Sequence, residues 1–205
     1  MIILPSSYLP SISYISQIVA NKGECQIDLG EHYIKRSARN RARIMTAQGV
    51  MELTIPVKNA NRPRQPMQTM QIDNSKRWQH QHWMAILSAY KSSPYFDHFA
   101  PYFEPLYRRE FSLLVEFNDA LLQVVFKLMR VGAESHPTAS TSYITATPED
   151  LDLRPKGALS QLQFEPVEYI QVFCDRLPFA ADLSILDLLF CEGPNALDFL
   201  GASRR

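Results

Sequence analysis

Glycine is scarce and scattered. The 205-residue chain holds seven, at positions 23, 30, 49, 132, 157, 193 and 201, so neither a dinucleotide fingerprint nor a phosphate-cradling loop can be assembled. The Gly-x-Ser-x-Gly elbow of a serine hydrolase is missing too. Cysteine is limited to Cys25, Cys174 and Cys191, with no paired spacing. That excludes a disulfide framework or a Cys-x-x-Cys zinc site and makes a reducing cytosol the simplest home. No apolar run approaches the roughly 20 residues of a spanning helix. The opening Met1 to Pro10 lacks a basic region and is interrupted by Pro5 and Pro10, so no signal peptide is expected. Net charge is also lacking: 21 basic and 21 acidic residues cancel, which argues against nucleic acid as a partner. The expectation is a soluble cytoplasmic protein whose 46% hydrophobic content builds one domain over 1–205.

The charge that is there is unevenly spread. Residues 1–77 carry 11 basic and 5 acidic side chains, and residues 134–205 carry 5 and 11, giving +6 and −6. Such a dipolar surface draws in an anionic ligand or holds the two halves together. The densest stretch runs from Glu31 to Arg43, with five basic residues and one acid. Read as a strand, it places Arg39, Arg41 and Arg43 on one face. Planar guanidinium forks suit phosphate or carboxylate oxygens; the bland alternative is a solvated, charged strand face. His32 stands beside this row.

Periodicity supplies the elements. Ile2–Leu4 reads as a buried strand, Pro5–Pro10 as a loop, Ile12–Ala20 as a helix and Gln26–Leu29 as a second strand parallel to the first. Ligands in such sheets gather at the carboxyl ends of strands. A hairpin follows, with Ile44–Thr46 and Val50–Val57 turning at Gln48-Gly49. Met67–Asp73 is a weak strand candidate, and Asp73, Asn74 or Ser75 is placed to cap a helix from Lys76 to about Lys91. That helix puts Trp78, His82, Ala85, Ile86 and Ala89 on one stripe. His80 and His82 point about 200° apart on it, which rejects a shared metal. His82 is then either a satisfied core histidine or a general base. A long helix spans Phe111–Val131 and ends at Gly132; Ala133–Glu165 reads as a connection. Val167–Phe173 reads as a strand, Leu183–Phe190 as a helix capped by Asp182 or Ser184, and Pro194 starts another. Asp187, inside an apolar helix, needs a partner, and the basic row is the obvious source of a structural ion pair. The fold class is α/β: a small mixed or parallel sheet with an antiparallel hairpin, flanked by helices, and a helical C-terminal part.

In order along the chain stand Tyr8-Leu-Pro-Ser-Ile-Ser-Tyr14, Glu31-His-Tyr-Ile-Lys-Arg-Ser37, Asn40-Arg41, Leu53-Thr-Ile-Pro-Val57, His82-Trp83 and Ala89-Tyr90 through Ser93-Pro-Tyr-Phe96. Asp152-Leu-Arg154, Gln171-Val-Phe173, Leu183 to Phe190 and Gly193-Pro194 complete the set. Together they resemble the WbqC-like proteins. Departures at Leu9, Ser11, Ala38 and Cys191 touch packing positions. The resemblance implies a cytoplasmic bacterial protein, with relatives associated with cell-surface polysaccharide (O-antigen) biosynthesis, and a transferase that moves glycine or another acyl group to a sugar; no cofactor is expected. It makes His32 and His82 the candidate bases. Lys35, Arg36, Asn40, Arg41, Arg43, Ser93 and Asp187 become ligand-binding candidates, with Tyr8 and Tyr95 stacking on a ring. The expected partner is an anionic small molecule, a nucleotide sugar or activated amino acid. The alternative is a non-catalytic protein that binds an anionic sugar nucleotide or a partner protein.

Overall fold

The computed structural model describes residues 1–162 and 164–200. It is a mixed α/β structure with a four-stranded parallel sheet, a separate two-stranded antiparallel hairpin and five α-helices among the described residues. Strand β1 (Ile2–Pro5) is buried along its length, as a central strand requires. Ser11 then caps α1 (Ile12–Ala20), its side chain accepting from the Tyr14 amide, and satisfies one of the orphan donors of a first turn. Ile12, Ile15 and Ile18 bury one side of α1 in the core, where the helix meets the C-terminal helix that follows Ser184. β2 (Cys25–Asp28) returns parallel to β1, with Ile2 opposite Cys25 and Pro5 opposite Asp28.

The hairpin β3 (Arg41–Thr46) and β4 (Gly49–Thr54) turns at the expected place, with Arg43 opposite Glu52. Helix α2 (Trp78–Tyr90) buries Trp78, His82, Trp83, Ile86 and Ala89, close to the expected stripe. It starts two residues later than expected. Asp73 accepts instead from the amide and hydroxyl of Ser75, a local turn that uses up the cap before the helix begins. Helix α3 (Phe96–Arg108) is new, because Pro101 and Pro105 obscure it. Its buried residues Phe96, Ala100, Phe103 and Tyr107 recur at helical spacing, while both prolines face solvent, where their lost backbone bonds cost least. Helix α4 (Leu114–Met129) ends at Arg130, which adopts φ +56°, rather than at Gly132.

The connection after α4 contains the two remaining strands. β5 (Thr138–Ser140) pairs with β2 and β6 (Leu151–Asp152) with β1, giving the parallel order β5-β2-β1-β6. Two strand expectations are corrected. Met67–Asp73 forms a 3₁₀ turn at Met67–Thr69 and single bridges at Gln71 and Ile72. Val167–Phe173 is irregular; Tyr169 and Gln171 alternate inward to reach a buried carboxylate, not a neighbouring strand. Helix α5 (Ile185–Glu192), capped by Ser184 and closed by Gly193, packs its leucines and Phe190 into the core. A 3₁₀ segment, Gly193–Phe199, follows with Pro194 in its first turn. No helix of the described residues is long and apolar enough to cross a membrane.

Candidate functional site

The carboxyl ends of β1, β2 and β6 meet in a buried charge network. Asp28, at the end of β2, accepts from the amides of Gly30 (2.8 Å) and Glu31 (3.0 Å) through Oδ1 and from Arg154 through Oδ2. Arg154 also grips Asp152 with two donors, at 2.9 and 2.8 Å, a bidentate pair of the stronger kind. The Arg154 hydrogen bonds hold the Asp152 carboxyl below its ordinary range. Gly30 has to be glycine: a Cβ there would run into the backbone of Ser142 and Tyr143.

Arg39 belongs to this network and not to the basic row. Its guanidinium is 2% exposed and clamps Glu31 through Nε (2.9 Å) and Nη2, while Nη2 also donates to the Arg154 carbonyl at 2.9 Å. It precedes β3, where the Asn40 amide turns back to Ser37, so the alternation starts only at Arg41. Burial pushes Glu31 up to about 7, with the Arg39 hydrogen bonds opposing the rise.

What remains of the row lines a cleft. A cavity of about 220 Å³ lies between the loop after β1, the hairpin and the segment before α5. Arg36, Arg41 and Arg43 line it, together with the hydroxyl residues Ser7, Ser11, Ser37, Ser160 and Ser184. An adjoining cavity of about 290 Å³ shares Arg36 and Ser37 and adds Lys156. Glu52 stands opposite Arg43 in the hairpin but bonds diagonally to Arg41 Nη1 at 2.5 Å, a reach open to long side chains. Arg41 Nε is buried without a partner. Arg43 is exposed and has no ion pair among the described residues. Asp182, also on the wall, is engaged by the amide and hydroxyl of Ser13 at 2.8 and 2.9 Å.

Backbone strain concentrates here. Six non-glycine residues of the described chain have positive φ, and Leu9 (40°), Arg36 (53°) and Asp182 (53°) all line this cleft. Left-handed conformations cost an L-residue on the order of 1–2 kcal/mol, and they cluster at ligand sites where surrounding structure enforces them.

The other candidates lie elsewhere. His82 is buried and is absent from the walls of the cleft. Its Nδ1 is 2.9 Å from the Tyr8 hydroxyl, which is 2.8 Å from the Tyr107 hydroxyl. Burial pulls its pKa down to about 4, against a hydrogen bond to the Thr54 backbone. With the Thr54 carbonyl taking a ring N–H, Nδ1 is the acceptor and Tyr8 donates. Tyr8 is fully buried and stacks on Phe117 at 5.9 Å. His32 is exposed and bridges to Pro66; Lys35 is exposed and bonds to Asn61. Asn40 is buried, donating to the Ile55 carbonyl at 2.8 Å at the base of the hairpin. Ser93 bonds to the Tyr90 carbonyl at 2.7 Å. The Tyr95 ring packs on Gly193 and Phe99, and the Tyr95 amide donates to the Phe190 carbonyl at 3.0 Å.

Asp187 does not pair with the basic row. Its Oδ2 accepts from Tyr169 (2.6 Å) and Gln171 (2.9 Å), and burial raises its pKa despite those bonds. Neutral donors from an adjacent segment satisfy it at lower desolvation cost than a buried guanidinium. Sequence reasoning passed over Asn118, which donates to Ser6 Oγ (3.0 Å) and the Arg39 carbonyl (2.9 Å). Its signal was a polar residue inside the apolar stripe of α4.

An α/β chain with basic and hydroxyl groups at the carboxyl edge of its parallel sheet is the class these features define. The chain belongs to the WbqC-like protein family, whose model matches residues 6–154. The match takes in helices α1 to α4 and every strand of both sheets except β1, which precedes it, and stops short of α5. The chain is also similar to the uncharacterized protein Rv1507c of Mycobacterium tuberculosis (strain ATCC 25618 / H37Rv), at 27% identity over 232 residues covering 99% of this chain and 98% of that protein. No solved structure matches.

Proposed function

We propose that the cleft lined by Arg36, Arg41 and Arg43 binds an anionic small molecule, and that the chain is a cytoplasmic transferase of surface-polysaccharide assembly. The group moved is glycine or a similar acyl group, and the substrate bound in the cleft is a nucleotide sugar or an activated amino acid. The single observation that carries this reading is the set of three guanidinium residues beside five serines in one cleft whose backbone is held in left-handed conformations at Leu9, Arg36 and Asp182. Guanidinium forks and hydroxyls together match the oxygens of a diphosphate or carboxylate. Catalysis here rests on positioning and on stabilising developing negative charge.

The second reading, a binding protein without turnover, draws support from the acids of the cleft: Glu52 is taken by Arg41 and Asp182 by Ser13. Incubation with nucleotide-sugar and aminoacyl donors, followed by mass spectrometry, tests the pair. A product that Arg36→Ala and Arg43→Ala lose while remaining folded supports the transferase. Calorimetric binding of a nucleotide diphosphate, weakened by the same variants and without any product, supports the binding protein. Neither binding nor product overturns both.

A further inference from the structure

A third cavity, of about 300 Å³, lies between the first turns of α4 and the sheet. Ile27 and Leu29 stand two apart at the end of β2, and Ala139 of β5 is opposite Ile27, so the three share one face of the sheet. Val115, Asn118 and Leu122 face them from α4 at i, i+3 and i+7 spacing. These walls are apolar except at Asn118, and the buried Ser6 and Ser7 add two hydroxyls at one end. Asn118 is 2% exposed, and both acceptors of its amide nitrogen are known: Ser6 Oγ and the Arg39 carbonyl. This fixes the orientation of the amide and leaves Oδ1 buried without a partner. An unpaired buried acceptor costs on the order of 1–3 kcal/mol, which a donor on a ligand removes. At the rim stand Glu116 and Asp119, both exposed and neither in an ion pair among the described residues.

A largely apolar hollow whose unpartnered buried acceptor is Asn118 Oδ1, the Ser6 and Ser7 hydroxyls being already hydrogen-bonded, and whose rim is negative, selects for an N–H donor, for positive charge and for a short hydrocarbon body. We infer that this cavity is a binding site for a small primary amine. The ammonium donates to Asn118 Oδ1, the alkyl part lies against Ile27, Leu29 and Leu122, and the field of Glu116 and Asp119 draws the cation in. The volume is at the low end of the roughly 300–1,000 Å³ of small-molecule sites, which limits the ligand to a few carbons. Ser7 lines both this cavity and the basic cleft, but the inference does not rest on what the cleft binds.

The test titrates the full chain with three probes of one shape, isoamylamine, isoamyl alcohol and isovalerate, by calorimetry and amide chemical shifts. Isoamylamine is expected to bind and to shift Leu29, Val115 and Asn118, with the alcohol about tenfold weaker and isovalerate not binding. Val115→Trp, which fills the hollow from a half-buried position, should weaken the amine at least about tenfold with an unchanged unfolding midpoint. Glu116→Gln/Asp119→Asn should weaken it about threefold and flatten its salt dependence; this pair decides the matter if Val115→Trp does not fold. Isovalerate binding as tightly as the amine, amine shifts elsewhere, affinity indifferent to the decisive variants, or no binding at millimolar amine overturns the inference.

Discussion

The Tyr8 hydroxyl donates to His82 Nδ1 at 2.9 Å, across 74 positions of sequence, and ties the loop that follows β1 to the middle of α2. The histidine is neutral at physiological pH, since burial holds it at about 4 against about 6.5 in an unfolded chain. The unfolded state therefore takes up a proton that the folded state refuses. Stability from this site is complete above about pH 6.5 and is lost as pH falls toward 4, by about 3 kcal/mol in all. His82→Gln keeps an acceptor for Tyr8 and does not titrate. Thermal unfolding between pH 7 and pH 4 should show the gap between the wild type and His82→Gln narrowing as acid is added. A gap that stays constant or widens removes His82 from the buried neutral state.

Glu31 and Arg39 offer a test in the other direction. Removing one partner of a buried ion pair strands the other, at roughly 3–5 kcal/mol, so Arg39→Met should lower the urea midpoint strongly. Arg39→Met/Glu31→Leu should recover much of that loss. Without Arg39, whose hydrogen bonds lower its pKa, Glu31 rises further above its unfolded value. A carboxyl raised on folding stabilises below its unfolded pKa and loses that contribution as pH climbs through the folded one. Arg39→Met should therefore be less damaging at pH 5 than at pH 8, as paired urea titrations will report.

Local signals made the first third of the fold legible. β1, α1 and β2 announce themselves by apolar runs, the Ser11 cap and isoleucine spacing, and the hairpin by Gln48-Gly49. β5 and β6 were not legible because three and two residues of strand are defined by the edges they join rather than by their own composition. Arg39 illustrates the limit at the site. Alternation places it beside Arg41 and Arg43, but a carboxylate eight residues earlier draws it inward, and only the three-dimensional arrangement shows that. Arg154 reaches Asp28 across 126 positions, and Asp187 takes its donors from positions 169 and 171. Pairings of that range leave no period in a sequence.

Gly193 closes α5 at φ +58° and ψ −128°, and a Cβ there would meet the Tyr95 ring. Two penalties add in Gly193→Ala: the backbone conformation, on the order of 1–3 kcal/mol, and the collision. A double-mutant cycle with Tyr95→Ala separates them, since only the collision disappears in that background. The expected coupling is at least about 1 kcal/mol in chemical denaturation. Additive losses would assign the whole cost to the backbone and leave Tyr95 free of Gly193.

Arg36 sets local stability against ligand binding. It is exposed, adopts φ +53° and lines the basic cleft. Glycine adopts that conformation without steric cost, but its unfolded chain loses more entropy, by roughly 0.5–1 kcal/mol. Against about 1–2 kcal/mol of left-handed strain, Arg36→Gly should range from neutral to about 1.5 kcal/mol more stable. If the guanidinium serves an anion, the same variant should weaken binding of a nucleotide diphosphate about tenfold, with a shallower salt dependence. Arg36→Ala keeps the strain and loses the charge, so it should match Arg36→Gly in binding and fall below it in stability. Unfolding midpoints and calorimetry on the two variants read these separately. Equal midpoints would show that the backbone at residue 36 is unstrained, and unaltered affinity in both would take Arg36 out of the anion site.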